Sequence, residues 1–206
     1  MVDQRPNFPA DFRLFLASQS PRRHSLLRDM GVPYEVVTTT ADETTQGGDA
    51  AALAAANAVA KVQHAVLPAD PPYGAFVLGT DTLVALEARV LGKPSSRVDA
   101  AAMIAGLSGK THQVVSGVAL SRLGQFHVAV ALTDVTFLQL DAAQIEAYIA
   151  SGEWTDKAGA YGVQGLAGMF VSEVRGEYSN VVGLPLCLLA RLFREAGFDL
   201  LRRQWI

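Results

Sequence analysis

Leu16-Ala17-Ser18-Gln19-Ser20-Pro21-Arg22-Arg23 is the stretch from which the fold and the chemistry of this chain are best predicted. An unbroken apolar run before it predicts a buried strand, and apolar residues at helical spacing after it predict a helix. Ser20 suits the N-cap of that helix, and the proline that follows suits its first position. A helix N-terminus attracts anions. Two guanidinium groups, Arg22 and Arg23, beside the Ser18 and Ser20 hydroxyls are suited to phosphate recognition. For this motif alone a capped surface helix with two solvated arginines is the better interpretation, and only the later motifs reverse that preference.

Length and composition predict a globular protein with one large domain or two small lobes. The chain has 206 residues, of which 50% are hydrophobic, and a net charge of -3. With no overall basic field, a nucleic-acid partner is not expected, and any anion site must be local. No apolar run approaches the roughly 20 residues of a membrane-spanning helix, so no membrane partner is expected either. The single cysteine, Cys187, lies in an apolar run and is expected to be a small core residue. Because one cysteine cannot form an internal disulfide, the chain suits a cytoplasmic location.

The remaining pattern predicts strands that alternate with helices, interrupted by one long hairpin around Gly124. Such an order favours a mixed α/β sheet over a purely parallel one. Predicted strands cover about 12–16, 34–37, 75–79, 83–86, 113–120, 126–138 and 169–174, and predicted helices cover about 21–30, 49–67, 98–107, 142–151 and 184–197.

Carboxylates and lone lysines supply the groups that could carry chemistry. An apolar run ends just before Asp81, and a buried strand that ends in Asp is how open α/β sheets present a functional carboxylate. A turn or N-cap aspartate is the equally good alternative. Glu43 and Asp42 are further carboxylates of the kind that Mg²⁺ binds, although a solvated loop explains Asp42 better. Lys61 and Lys93 are single cations next to apolar or glycine-rich sequence, and each alone is typical of a surface lysine.

A glycine-dense stretch, Ala158 to Gly165, predicts a loop that lets the backbone approach a flat ligand closely. Within it, Gln164 could hydrogen-bond to a base edge through both groups of its amide, although ordinary turns are the alternative. The sequence contains neither a Walker-type phosphate loop nor a dinucleotide Gly-x-Gly-x-x-Gly turn, and its four histidines form no metal pair. Together these residues predict a local polyanion site and phosphate chemistry, without specifying a reaction.

A series of motifs resembles the Maf (septum formation) family of nucleoside triphosphate pyrophosphatases. It begins with Leu-Ala-Ser-x-Ser-Pro-Arg-Arg and continues in order through nearly the whole chain, which makes the resemblance specific. The further matching blocks are Asp42-Glu43-Thr44, Ala60-Lys61, Gly79-Thr80-Asp81-Thr82-Leu83-Val84, Leu91-Gly92-Lys93-Pro94, Leu107-Ser108-Gly109, residues 157–165 and residues 179–185.

The resemblance implies an α/β fold in which an elongated, curved mixed sheet is flanked by helices, with the substrate cleft between two lobes (Maf/ITPase-like). The implied reaction is hydrolysis between the α and β phosphates of a nucleoside triphosphate, with Mg²⁺ or Mn²⁺ as cofactor. Asp81 would accept the proton of the attacking water, and Asp81 and Glu43 would hold the metal. Phosphates would be bound by Arg22, Arg23, Lys61 and Lys93, with Ser18 beside them, and specificity would lie at Arg22, Thr82 and Gln164.

Asp-Thr at 81–82, together with the glycine-dense loop, resembles the branch of the family that acts on dTTP and UTP. The alternatives are a 7-methyl-GTP pyrophosphatase, whose branch usually has Gln after the catalytic Asp, and a regulatory nucleotide-binding protein of cell division. The expected organisation is a single domain over residues 1–206, with residues 1–10 as an N-terminal extension that the family pattern does not explain. A homodimer is a further expectation from the family.

Overall fold

A computed structural model describes residues 6–44 and 49–206, and it places a mixed β-sheet at the centre of the molecule. The strands are β1 (Leu14–Leu16), β2 (Glu35–Val36), β3 (Phe76–Leu86), β4 (Arg89–Leu91), β5 (Thr111–Arg122), β6 (Gln125–Phe137), β7 (Val171–Arg175), β8 (Phe198–Asp199) and β9 (Gln204–Trp205). The α-helices are α1 (Pro21–Asp29), α2 (Ala50–Gln63), α3 (Arg97–Leu107), α4 (Ala142–Ala150), α5 (Tyr178–Val182) and α6 (Leu186–Glu195), and 3₁₀ turns lie at Ala158–Ala160 and Leu166–Met169.

The main sheet has seven strands in the order β2-β1-β3-β5-β6-β7, and β4 pairs with β3 off this path. Strand β1 runs parallel to β2 and β3, whereas the other pairs of this sheet are antiparallel. The predicted hairpin is β5–β6, and the predicted mixed α/β sheet flanked by helices is confirmed. No helix among the described residues is long and apolar enough to cross a membrane.

Strand β3 organises the molecule, because one of its edges is interrupted. Strand β5 pairs with β3 from Phe76 to Ala85. On the opposite edge, β1 pairs only with residues 76–78 and β4 only with residues 84–86. Among the described residues, no strand pairs with 79–83 on that edge. Asp81 therefore lies in the middle of an eleven-residue strand, and the prediction that it ends a strand was wrong because antiparallel pairing with β5 continues through the polar residues.

Helix α2 lies against this part of the sheet at unusually short range. A Cβ atom on Gly79 would lie 2.4 Å from the carbonyl oxygen of Ala58, and one on Gly117 would lie 2.1 Å from that of Ala54. Since real Cβ atoms do not approach backbone so closely, only glycine permits this packing. Gly117 on β5 pairs directly with Asp81 on β3. Helix α2 therefore comes closest to the sheet at the position of Asp81.

Two large apolar clusters lie toward the two ends of β3. The first surrounds Phe76 and Leu78, and the second surrounds Val84. The polar Thr80-Asp81-Thr82 stretch lies between them, where the predicted cleft between two lobes should be. Buried aromatic rings fill both clusters, including Phe12, Phe193 and Phe198 in the first and Phe137, Tyr148 and Tyr161 in the second.

Residues 6–10 of the expected N-terminal extension pack against the C-terminal segment; residues 1–5 lie outside the described part of the chain. The Arg203 guanidinium donates a hydrogen bond to the Pro6 carbonyl and lies 4.7 Å from the centre of the Phe8 ring. Phe8 also stacks on Phe198.

The prediction that Cys187 is a core residue was wrong. Cys187 is exposed, because the apolar run forms the amphipathic helix α6, which buries Leu188, Leu189, Leu192 and Phe193 and leaves Cys187 on its outer face. The backbone of Gly183 has a φ of 124°, which glycine adopts readily.

Candidate active site

A cavity of about 520 Å³ opens along the unpaired edge of β3. Its size is typical of a site for a small-molecule ligand. All of the site residues predicted from the sequence line it, although they come from both faces of the sheet and from loops far apart in the chain. These residues are Ser18, Arg22, Arg23, Glu43, Lys61, Asp81, Thr82, Lys93 and Gln164.

On the α2 face, the Lys61 ammonium bridges two carboxylates. Lys61 Nζ lies 2.8 Å from Asp81 Oδ1 and 2.7 Å from Glu43 Oε1, and it also donates to the Thr80 carbonyl at 3.1 Å. The side chains of Lys61 and Asp81 are both 6% exposed, so this pair is shielded from water. A buried charge is stable only when it is paired, and Lys61 pairs with the carboxylate that the sequence had marked as functional.

Glu43 is the more accessible carboxylate, and its charge is maintained by two lysines. Burial disfavours its ionised form, but attraction and hydrogen bonds from Lys61 and Lys93 outweigh that effect, so the pKa of Glu43 lies below its usual value. The Lys93 ammonium is 3.4 Å from Glu43 Oε2, and its side chain is 56% exposed. Lys93 therefore stands at the mouth of the cavity, whereas Lys61 lies at its base.

Asn57 is a site residue that sequence reasoning missed. It is only 3% exposed, and its Nδ2 donates to Asp81 Oδ2 at 2.7 Å. Asn57 precedes Lys61 by four residues in α2, so the two side chains share one face of the helix. A polar residue one turn before a lysine, in an otherwise alanine-rich helix, was the available signal.

The opposite face is organised around Arg23, which is buried. Its guanidinium donates to the Gly183 carbonyl at 2.8 Å, to Ser18 Oγ at 2.9 Å and to Thr82 Oγ1 at 3.2 Å. Burial lowers the pKa of Arg23 to about 10, opposed by the charges of Asp81 and Glu43, so it stays cationic at neutral pH. Ser20 stands at the predicted N-cap position, but its side chain makes no capping hydrogen bond; its N–H donates to Ser18 Oγ instead.

Arg22 differs from its neighbour. Its side chain lines the cavity and forms no hydrogen bond within the described part of the chain, and burial lowers the pKa of Arg22, opposed by the charge of Asp156. Lys157 lines the same part of the cavity. Burial lowers the pKa of Lys157, and the nearby positive charge of Arg22 lowers it further. Arg22 is thus the arginine with an uncommitted guanidinium, and Asp156 and Lys157 are wall residues that sequence reasoning assigned no role.

The glycine-dense loop forms the far wall. Gly159 has a φ of 65°, and a Cβ there would lie 2.9 Å from Val84, so the loop presses directly on β3. Gln164 is exposed at the rim of the cavity and has its amide available, since no described residue bonds to it.

Tyr161 of this wall is fixed from behind by His112. His112 Nε2 and the Tyr161 hydroxyl are 2.8 Å apart. Burial lowers the pKa of His112 to about 4 and raises that of Tyr161, so both are neutral near pH 7. His112 Nδ1 is buried without a partner among the described residues. Tyr161 and its partner therefore give this part of the wall a neutral aromatic surface, whereas the cationic side chains of the cavity come from α1, from α2 and from Lys93 after β4.

The donor set fits a metal that takes part of its coordination from the substrate. Glu43 and Asp81 are the carboxylates at the base of the cavity, and no cluster of three or more His, Cys, Asp or Glu ligands occurs among the described residues. Mg²⁺ is typically bound by one or two carboxylates together with waters and substrate phosphates. Two carboxylates beside cationic side chains match that mode, and they do not match an all-protein metal cage.

Comparison with known proteins identifies relatives over most of the chain. A family model described as Maf-like protein matches residues 13–196. A protein of Moorella thermoacetica named dTTP/UTP pyrophosphatase is 46% identical over 196 residues, which cover 91% of this chain and 96% of that protein. One of the same name from Symbiobacterium thermophilum is 42% identical over 188 residues, with 91% and 96% covered. The solved structure of the Staphylococcus aureus Ham1 protein aligns with a TM-score of 0.42 and 14% identity over 61% of this chain and 71% of that one.

Proposed function

Because this chain belongs to the Maf family, we propose that its cavity hydrolyses dTTP and UTP to the nucleoside monophosphate and pyrophosphate. The observation that carries the proposal is the buried Lys61–Asp81 pair in a cavity that cationic side chains surround. A carboxylate beside bound phosphates can accept a proton, and the cations can balance the charge of a triphosphate.

Asp81 is the proposed general base. A water molecule attacks the α-phosphorus and gives one proton to the Asp81 carboxylate, and the bond from that phosphorus to the oxygen bridging to the β phosphate breaks. Pyrophosphate leaves with the electron pair of the broken bond. Each carboxylate oxygen of Asp81 accepts one hydrogen bond from a side chain, and since an oxygen can accept two, a water can still be bound. A general base of this kind contributes about 10²–10⁴-fold to a rate.

The cations have separate roles in this scheme. Lys61 orients Asp81 and is placed to neutralise charge near the reacting phosphate. Lys93 and Arg22, which are less committed to protein partners, bind the phosphate chain and the leaving pyrophosphate. Arg23 uses three of its N–H groups on protein oxygens, so it acts on the substrate mainly by holding Ser18 and Thr82 in place.

Glu43 and Asp81 would hold Mg²⁺ or Mn²⁺ together with phosphate oxygens. A bound divalent cation would polarise those oxygens and neutralise part of their charge. Lys61 contacts both carboxylates and so keeps them close together for this purpose.

Specificity for the pyrimidine is assigned to Gln164, Thr82 and Arg22. The Gln164 amide has both a donor and an acceptor to offer to a base edge. Thr82 Oγ1 is fixed between Arg23 and Ser116 Oγ, which lies 2.8 Å away, so it presents a defined hydroxyl. The single-domain organisation, the homodimer and the cytoplasmic location stay predictions of the sequence.

The test is a pyrophosphate-release screen of the purified protein with Mg²⁺ against the canonical triphosphates and 7-methyl-GTP. We expect preferential turnover of dTTP and UTP, and its loss in Asp81→Asn with nucleotide binding retained. Preferential turnover of 7-methyl-GTP would contradict the assigned branch. Binding without turnover of any triphosphate would contradict the enzyme assignment and favour the regulatory alternative.

A further inference from the structure

We infer that Asn57 is a positioning residue that sets the distance between the two carboxylates of the site, an inference that rests on the proposed function. Asn57 is not a cavity-lining residue; it acts through Asp81 and through the loop that carries Glu43. Its side chain is the direct link between helix α2, strand β3 and that loop.

Both donor hydrogens of the Asn57 amide and its carbonyl oxygen are hydrogen-bonded. One Nδ2 hydrogen is donated to Asp81 Oδ2 at 2.7 Å and the other to the Thr44 carbonyl at 2.8 Å. Asn57 Oδ1 accepts from the Thr44 backbone N–H at 3.1 Å. The amide therefore pairs with both the N–H and the carbonyl of Thr44, as the backbone of a neighbouring strand would. At the same time it fixes one oxygen of Asp81.

This arrangement determines where Glu43 lies. Glu43 is next to Thr44 in the chain, and its carboxylate meets Lys61 at 2.7 Å. Asn57 and Lys61, one helical turn apart, hold the two different oxygens of Asp81. Asn57 and Lys61 of helix α2 thus hold both Asp81 and the loop that carries Glu43. The position of the proposed general base relative to the second proposed metal carboxylate is therefore set by the same two side chains.

Asparagine is short, so its reach depends on the close packing of α2. The backbone of Ala54 approaches β5 at Gly117, directly opposite Asp81. A residue that merely filled core space at position 57 would not need an amide, and an apolar side chain there would leave Thr44 N–H and Asp81 Oδ2 without this partner.

The inference is tested with Asn57→Ala and with Asn57→Asp. The second variant keeps the volume and an acceptor for Thr44 N–H, but it loses the donors to Asp81 and to the Thr44 carbonyl and adds a charge beside Asp81. The matched control is Gln63→Ala, which removes an exposed amide from the same helix. The readouts are kcat and KM for dTTP, hydrogen exchange of the Thr44 backbone amide, and the folded fraction of each variant.

We expect kcat to fall about 10- to 100-fold in both Asn57 variants, as for other partners that orient metal or catalytic ligands, with a smaller change in KM. Thr44 amide exchange should accelerate in Asn57→Ala, stay slow in Asn57→Asp, and be unaltered in Gln63→Ala. If Asn57→Ala does not fold, Asn57→Ser, which adds no charge beside Asp81 and is too short to reach both Thr44 and Asp81, decides the question on kcat and on Thr44 exchange. Wild-type kcat in a folded Asn57 variant, or Thr44 exchange that is equally slow in Asn57→Ala, would overturn the inference. If the wild type releases no pyrophosphate, the proposed function fails, and Thr44 exchange alone decides whether Asn57 holds the loop.

Discussion

Replacing Gly117 by alanine should separate helix α2 from Asp81 without altering any polar group of the site. The added Cβ would lie 2.1 Å from the Ala54 oxygen, 2.3 Å from its carbonyl carbon and 2.6 Å from the Ala55 nitrogen. These are backbone atoms, so no side-chain rotation relieves the contact. Reaching an ordinary separation requires the helix to retreat by about 1.3 Å, and a misplacement of about 1 Å can cost roughly 100-fold in rate. Overpacking of this kind also costs about 1–3 kcal/mol of stability.

The measurement is kcat/KM for dTTP, together with urea unfolding to establish that the variant is folded. Gly106→Ala is the matched control, because a Cβ at Gly106 of helix α3 meets nothing within 4 Å. That control should retain full activity and gain about 0.4–1 kcal/mol, since alanine restricts the unfolded chain more than glycine does. A folded Gly117→Ala protein with activity within twofold of wild type would refute the reasoning that backbone contact between α2 and β5 sets the geometry of the site.

Three further predictions concern the walls of the cavity. Gln164→Ala should change the ratio of kcat/KM between dTTP and purine triphosphates more than it slows dTTP turnover; an equal loss for all triphosphates would make Gln164 structural. Arg22→Ala should raise KM about tenfold or more through a lost charge-assisted hydrogen bond, with an unchanged melting temperature. Arg23→Ala should instead lower the unfolding free energy measured in urea, because the buried Gly183 and Ser18 oxygens and the half-buried Thr82 oxygen lose their donor. Because burial lowers the pKa of His112 from 6.5 to about 4, the unfolded chain binds a proton that the folded one does not, and stability falls as the pH decreases through this window. Between pH 7 and pH 5 this loss should be about 2 kcal/mol by urea unfolding, and in a folded His112→Gln variant the same comparison should show a loss smaller by that amount.

The residues that line the cavity were predicted from their motifs, but that they meet in one site was predicted only from the resemblance to a family. Asp81, Lys61 and Glu43 are far apart in the chain, and only the resemblance to a family placed them together. The mixed sheet followed from the alternation of strands and helices and from the hairpin, which are signals of local periodicity.

What the sequence could not supply was the pairing of strands. The polar residues around Asp81 were interpreted as the end of a strand, since local pattern does not show that β5 continues alongside them. Arg22 and Arg23 were both expected to bind phosphates, but Arg23 is buried and donates to three protein oxygens, which local pattern does not show. Asn57 belongs to none of the motifs found in the sequence. Its role depends on the close contact between α2 and the sheet, which the glycines at positions 79 and 117 permit.

Asp81 and Thr82 are adjacent in β3, so their side chains leave opposite faces of the sheet. The Asp81 side chain meets Lys61 and Asn57 of α2, while that of Thr82 meets Arg23 of α1, and both reach one cavity because the strand edge between β1 and β4 is unpaired. The proposed general base and one of the residues proposed to select the nucleobase are therefore placed by the alternation of side chains along a single strand. Inserting one residue into β3 before Asp81 would exchange the two faces and abolish bond cleavage and base selection together, whereas inserting two would restore the original facing.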